Sequence, residues 1–297
     1  MAQQWSDIAA DGLSLKTREA PLARFREFAR RNPTVVGGAA VLIVMVVLTL
    51  AAPYLSSNPF DLDPIRRLQV PSAESWFGTD NLGRDIYSRT LYGGRISLAV
   101  GLGVAVSATL LGLVIGLISG YSRSLDAVLM RIMDGLMAIP AILLAITLVA
   151  VTSASLENVI MAIAIAEVPR VARLVRSIVL TIREQPYVEA AVSIGTGLPK
   201  MFLRHILPNT MGPLLVQGTY VFASAVIDEA LLGFIGAGIP PEIPSWGNIM
   251  AEGRVYFQLA PWIIFFPGTF LTLTVLAVNV LGDGLRDMLD PRLARQM

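Results

Sequence analysis

Side chains that could do covalent chemistry are scarce in this chain of 297 residues. Cysteine is absent and the one histidine is His205, so disulfides, thiol nucleophiles and metal sites built from several imidazoles or thiolates fall away. The only lysines are Lys16 and Lys200, and neither follows a glycine. The glycine-rich loop that cradles nucleotide phosphates needs that pair, so the chain does not hydrolyse ATP unaided. No catalytic residue, metal ligand set or cofactor is therefore assigned.

What remains is charge in unusual places. Asp80, Arg84, Asp85, Arg89 and Arg95 alternate in sign within one short block, which reads as a structural ion-pair network or as a surface that touches solute. Asp228 and Glu229 interrupt an apolar stretch, where an ionisable group is costly and marks a pathway or a buried pair. Neighbouring helical residues point about 100° apart, so both cannot face one pore. The other reading places them at the hydrated end of a span, and this is the simpler one for Asp228. Asp134 follows Arg131 by three residues, the spacing of an intrahelical pair. Arg170, Arg173 and Arg176 drift round one side of a helix as anchors at the membrane surface.

These groups need elements to hold them, and the composition says which. The chain is 54% hydrophobic and 15% charged, whereas an ordinary soluble domain carries roughly 25% charged residues. A net charge of +1 from 23 basic and 22 acidic residues supplies no field for nucleic acid, which is excluded as a partner. A helix needs about 17 to 25 apolar residues to cross a bilayer. Segments 34–55, 97–119, 132–151 and 260–281 qualify, as does 211–236 apart from Gln217, Asp228 and Glu229. A sixth, 159–180, is interrupted by Glu167, Pro169, Arg170, Arg173 and Arg176. The expected fold class is an all-α polytopic membrane protein with six transmembrane helices.

Six spans place both termini on one side. Segments 1–33, 120–131, 168–206 and 282–297 hold 17 of the 23 Lys/Arg, and 53–96, 152–158 and 236–259 hold the other 6, so both termini are expected in the cytoplasm. The organisation is then a cytoplasmic segment over 1–33, a six-span domain over 34–283 and a cytoplasmic tail over 284–297. Leu22, Phe25, Phe28 and Ala29 recur with helical spacing among arginines, which suits an interfacial helix within 1–33. The external loop 53–96 begins with a proline-rich extended stretch, and 236–248, rich in glycine and proline, reads as a rigid, non-helical stretch. Gly112, Gly116 and Gly120 share one helical face and suit close helix packing.

The cytoplasmic loop 183–209 is too regular to be a mere connector. Helix formers follow Pro186, Gly195 and Gly197 interrupt them, Leu198-Pro199 suggests a restart, and Pro208 stands where the next span begins. A short helix, a turn and a second helix lying near the membrane surface would fit a groove on a soluble partner, with Ala190 and Ala191 among the small residues presented.

At this loop the chain resembles a family. Glu189, Ala190 and Ala191, with Gly195 six residues after the glutamate and Leu207-Pro208 twelve beyond the glycine, resemble the "EAA" signature of ABC-importer permeases. A second block is more specific. The stretch FGTDNLGRDIYSRTLYGGRISLAVG at 77–101 closely resembles the corresponding block of dipeptide, oligopeptide and nickel importer permeases, matching Gly78, Thr79, Asp80, Gly83, Arg84, Asp85, Ser88, Arg89, Tyr92, Gly93, Arg95, Ser97, Leu98 and Gly101. MRIMDGLMAIP at 130–140 and PPEIPSWG at 240–247 extend the match, which covers about residues 34–293. The order of the blocks is similar to that of the C-type subunit. The chain departs from the pattern at Glu167-Val168-Pro169, at Gly197-Leu198-Pro199 and at His205, where relatives carry isoleucine.

The resemblance implies a type I ABC-importer permease fold and a bacterial inner-membrane location. It implies a homologous B-type permease as partner, with which the chain forms half of one translocation path. It also implies two cytoplasmic ATP-binding subunits and an external solute-binding protein, alongside the lipid bilayer. On that pattern Glu189, Ala190, Ala191, Gly195, Leu207 and Pro208 form the ATPase-coupling loop. Asp80, Arg84, Asp85, Arg89 and Glu229 belong to the translocation path or its external mouth. The expected cargo is di- or oligopeptides or similar small solutes, with nickel as the alternative inside the family. A proton-coupled secondary transporter working through Glu167, Asp228 and Glu229 is the rival outside it, but no inverted repeat supports that.

Overall fold

The computed structural model describes residue 30 and residues 32–289. The expected interfacial helix within 1–33 and the end of the tail lie outside the described residues. The architecture is helical throughout: α1 (Pro33–Leu50), a short α2 (Ala52–Leu55), a 3-10 turn (Pro64–Arg66), α3 (Ile86–Tyr121), α4 (Arg123–Met137), α5 (Ala141–Thr152), α6 (Leu156–Arg183), α7 (Pro186–Ser193), α8 (Leu198–Met201), α9 (Leu207–Ile235), α10 (Trp246–Gly253) and α11 (Trp262–Leu289).

The core of the bundle is the pair α3 and α6. At 36 residues, α3 is about 54 Å long, and its glycines admit α6 at close range. Backbone or side-chain atoms of Ile160, Val171, Val175 and Val179 face Gly103, Gly112, Gly116 and Gly120 in turn. The order is the same along both helices, so they run parallel and through the same depth. The small-residue face expected at Gly112, Gly116 and Gly120 is this contact. A β-branched side chain on one helix seats against bare backbone on the other, and dispersion replaces the hydrophobic driving force that lipid does not supply. Three further helices complete the bundle. Gly101 of α3 packs on Val226, and Gly218 of α9 lies near Thr109, so α9 runs antiparallel to α3. Gly282 of α11 meets Thr219, and Gly38 of α1 meets Val280. The start of α1 and the end of α11 therefore lie at one end of the bundle, together with residues 186–206. We call this the lower end, and the end bearing residues 78–85 the upper one.

By length and composition, α1, α3, α11 and the continuous helix Leu198–Ile235 can each cross a membrane, and the bent pair α4 and α5 would be a fifth crossing only if counted as one span. Three expectations change here. The span expected at 132–151 is not one straight helix, because α4 and α5 meet at a bend of 91°. Pro140 cannot continue the helix of α4 and starts α5 instead. The polar face of α4 lies across α6, so only the 12 residues of α5, about 18 Å, return toward the upper end. The second helix expected to lie along the membrane in the loop 183–209 is instead the beginning of α9. Residues 198–201 pass through a π-helical turn, Phe202–Ile206, into Leu207 without a break. The glycine- and proline-rich stretch is non-helical only to Pro244. Ser245 then caps α10, its Oγ accepting from the Asn248 N–H at 3.2 Å. The sixth segment, α6, carries five interrupting residues yet forms 28 residues of helix through Pro169, because it is packed on α3 along most of its length.

Candidate functional site: two ends of one helix

The upper end is built on a tight loop. Gly78 and Gly83 adopt φ of 74° and 77°, and a Cβ on Gly83 would overlap the Asp63 carbonyl, so the turn admits no side chain there. The turn brings Asp80 back over the start of α3. One oxygen of its carboxylate accepts from the Leu82 and Arg84 N–H groups at 2.8 and 2.9 Å. The other accepts from Arg84 Nε and Arg89 Nη1, each at 2.6 Å. Arg89 is 1% exposed, and its fork also grips Glu252 of α10, at 2.7 and 3.0 Å. Arg84 Nη2 reaches the same carboxylate. Asp85 caps α3, accepting from the Ser88 N–H at 2.8 Å and the Ser88 hydroxyl at 2.6 Å. Two tryptophans pin the surround: Trp246 Nε1 donates to the Thr90 carbonyl at 3.0 Å, and Trp262 Nε1 to that of Thr79 at 3.1 Å.

Four of the five candidate residues at this end thus belong to one structural assembly. Asp80, Arg84 and Arg89 share a single ion network, and Asp85 caps the helix beside it. Buried charges are tolerated only when paired and hydrogen-bonded, and the Arg89 guanidinium is engaged by two carboxylates. The sequence reading missed Glu252, the carboxylate that completes the network. The available signal was the capping serine before residues 246–253, which reads as a helix start and would have put an acid on a folded element.

Glu229 lies deeper. It is 1% exposed, on α9 against α3, with Oε2 accepting from Ser97 Oγ at 2.8 Å. The same hydroxyl oxygen accepts from the Trp246 N–H at 3.3 Å. The structure therefore places Glu229 in a packed interior, whereas Asp228 beside it is half-buried on a different side of the helix.

The lower end is open by contrast. α7 turns Val188 and Ala191 inward and leaves Glu189 and Ala190 exposed. Gly195 follows with φ of 76°. Its own N–H reaches the Val192 carbonyl at 2.9 Å, and the Thr196 N–H reaches that of Ala191 at 3.0 Å, a left-handed closure of the helix. The loop exposes Val192, Leu198 and Leu203, and Ile194 at 83%. Leu207 and Pro208 stand at the first turn of α9. His205 lies beside Tyr187, ring centroids 6.2 Å apart.

One further residue ties this loop to the bundle. Arg183, the last residue of α6, donates to the Gly120 and Tyr121 carbonyls at 2.8 and 2.9 Å. It also stacks on the Tyr121 ring at 5.1 Å, and Tyr121 in turn packs on Phe202, 5.2 Å away. The end of α3, the end of α6 and the π-helical turn before α9 are thus clasped together. The intrahelical pair expected between Arg131 and Asp134 is not formed. Asp134 pairs with Arg173 at 2.5 Å and Asp126 with Arg176. These arginines tie α4 across α6 where surface anchoring was expected.

The comparisons agree with this architecture. The family of binding-protein-dependent transport system inner membrane components matches residues 108–295. A probable peptide ABC transporter permease of Sinorhizobium fredii is 56% identical over 268 residues, covering 90% of this chain and 92% of that protein. The dipeptide transport system permease DppC of Alkalihalophilus pseudofirmus is 42% identical over 89% of this chain and 88% of its own length. Among solved structures, the MetNI methionine ABC transporter in an inward-facing conformation aligns with a TM-score of 0.55 at 20% identity, over 67% of this chain and 94% of that one, which shows a shared type I importer-permease fold. A family model over more than half the chain, and close identity along nine tenths of it, lead to one conclusion: the chain belongs to the binding-protein-dependent inner membrane components, the permease subunits of ABC importers.

Proposed function

We propose that this chain is the C-type permease of a peptide importer in a bacterial inner membrane, with its lower end and both termini in the cytoplasm. It pairs with a homologous B-type permease to enclose one path. Two ATP-binding subunits grip the loop around Glu189 to Pro208, and an external solute-binding protein delivers the solute. The distribution of Lys and Arg supports the orientation. The names of the S. fredii and A. pseudofirmus relatives favour peptides over nickel.

The observation that carries the coupling role is the clasp under the loop. An exposed apolar tip at Val192 and Ile194 offers a partner something to hold, and Arg183 joins the base of that tip to α3. In this reading ATP binding closes the ATPases, and the loop moves as a lever. The long helix carries the movement upward, and the path changes from inward- to outward-facing. Hydrolysis resets it. Nucleotide drives transport only by stabilising one permease state over the other.

Mild detergent extraction of the tagged chain, with mass spectrometry of its companions, tests the assembly. Recovery of a second permease and an ATPase stimulated by a binding protein is expected. A chain that purifies alone and transports under a proton gradient overturns the proposal. Gly195→Asp is expected to abolish uptake while membrane insertion persists, and normal uptake by that variant would refute the lever.

A further inference from the structure

Four of the spanning helices leave a gap between them. α1 is seated on α3 near its upper end, where Thr49 meets Gly94, and on α11 near its lower end, where Gly38 meets Val280. Between the two seats, Leu42 of α1 borders a groove of about 450 Å³ whose other walls are α3, α9 and α11. On α3 the groove runs from Leu102 to Leu110, and on α9 from Phe222 down to Met211, about 16 Å of helix. Its upper end is at Phe222, whose ring packs on Gly101. Its lower end lies where polar residues begin, since Met211 is two places from Asn209 and Leu281 two places from Asp283. The groove therefore starts at the lower membrane boundary and rises through about half of a hydrocarbon core roughly 30 Å thick. That is the depth of one lipid leaflet.

The walls are hydrocarbon, and Leu102, Val106, Leu110 and Leu215 stay exposed along them. Two hydroxyls lie among these side chains. Thr219 donates to the Val216 carbonyl of its own helix at 2.7 Å, and Thr109 Oγ1 has no hydrogen-bond partner among the described residues. A peptide segment would bring backbone N–H and C=O groups that such walls cannot satisfy. A helix of a partner is excluded by calibre, because a body about 10–12 Å across does not enter a space of this volume drawn out over about 16 Å. An unbranched hydrocarbon chain does fit. It needs no hydrogen bond, and the bilayer itself supplies it. Left empty, the gap would forfeit van der Waals contact on every wall.

We infer that this groove is a lipid site: it holds one acyl chain of a phospholipid of the lower leaflet, retained as a wedge that completes the packing of α1 on α3 and α9. The site rests on the membrane-spanning fold and is independent of the cargo and of which side the lower end faces. Lipid around the bundle touches one helix face at a time and exchanges. The chain in the groove is held by four helices and stays with the protein.

Gly218 provides the test. A Cβ there meets only Thr109 Oγ1, at 3.6 Å, an ordinary contact, so the side chain of Gly218→Leu enters the groove and takes the place of the acyl chain. Gly37 of α1 has nothing within 4 Å of a Cβ and lies outside the groove, so Gly37→Leu is the control. The complete importer is extracted in mild detergent, washed, and its retained phospholipid counted by native mass spectrometry. Gly218→Leu is expected to carry one phospholipid fewer per complex than the unsubstituted importer, and Gly37→Leu the same number. Val106→Phe fills the groove from the α3 wall and is expected to lose the same lipid, which keeps the test intact if one variant fails to assemble. An importer that retains no phospholipid overturns the site, as does an unchanged count in both filling variants or an equal loss in Gly37→Leu. Returning phosphatidylethanolamine to the delipidated importer is expected to raise its thermal midpoint by at least about 3 °C, and to leave that of Gly218→Leu in place. An equal rise in both means that bulk lipid alone acts, and overturns the retained chain. Loss of the second permease from Gly218→Leu, with the lipid count unchanged, makes the groove a partner's seat and overturns the site as well.

Discussion

The two ends of α3 hold similar kinds of residue and use them in opposite ways. At the upper end arginine and carboxylate are withdrawn from water, and Arg89 is shared between Asp80 and Glu252. At the lower end Glu189 is left exposed on a short helix, and hydrophobic side chains such as Ile194 project outward. Arg183 has a structural task there, and it bonds to backbone carbonyls. A charge that is buried and fully paired holds elements at fixed distance. In the proposed reading the exposed apolar tip beside that clasped base is the handle for the ATPase subunits, so the same helix is held by a rigid joint above and is clasped to the docking loop below.

The largest test of this contrast is Arg89→Ala. It leaves the guanidinium of Arg84 alone between Asp80 and Glu252, and breaking a buried pair in this way costs about 3–5 kcal/mol. Thermal unfolding of the purified permease complex should show the loss, and a change within error would mean the joint is not rigid. Gly94 comes next. A Cβ there would meet Trp246 at 2.9 Å, so Gly94→Val should destabilise by about 1–3 kcal/mol through overpacking, read in the same assay.

The lower end should respond differently to the same kind of change. Nothing lies within 4 Å of a Cβ built on Gly195, so Gly195→Ala meets only the backbone penalty of a left-handed residue, about 1–2 kcal/mol. A loss much larger than at Gly94→Val would reverse the comparison. The smallest effect on stability is expected for Ile194→Ser, within about 0.5 kcal/mol, yet this variant should recover several-fold less ATPase subunit in copurification. Full recovery would show that the exposed tip is not the handle.

Much of this was legible without coordinates. Apolar length located α1, α3, α9 and α11 as membrane-crossing helices, and Gly112, Gly116 and Gly120 announced a close helix contact, because a small residue every fourth position suits close packing in lipid. Gly195 announced the end of α7. Other features were hidden for reasons that can be named. The span expected at 132–151 reads as one apolar run because hydropathy sums composition and is blind to the direction of the chain at Pro140. Asp134 has a partner at helical spacing, Arg131, and another 39 residues away, Arg173; local spacing favours the first, and packing of α4 on α6 selects the second. Glu252 joins Arg89 across 163 residues, a distance at which no periodicity speaks.

What the sequence determined by itself is therefore set by solvent and by local backbone preference: a membrane-spanning helical chain, the side on which its positive charge collects, and the glycine and proline positions that end helices. Tertiary structure alone decided which charges are joined and which stay available. Asp80 and Glu229 became interior, Glu189 stayed outside, and Asp228 stayed half-buried, although all four look alike as acidic residues in the chain. The reason is that an ion pair depends on a few ångströms between side chains from distant helices, and that distance exists only after α3, α6, α9 and α10 have packed.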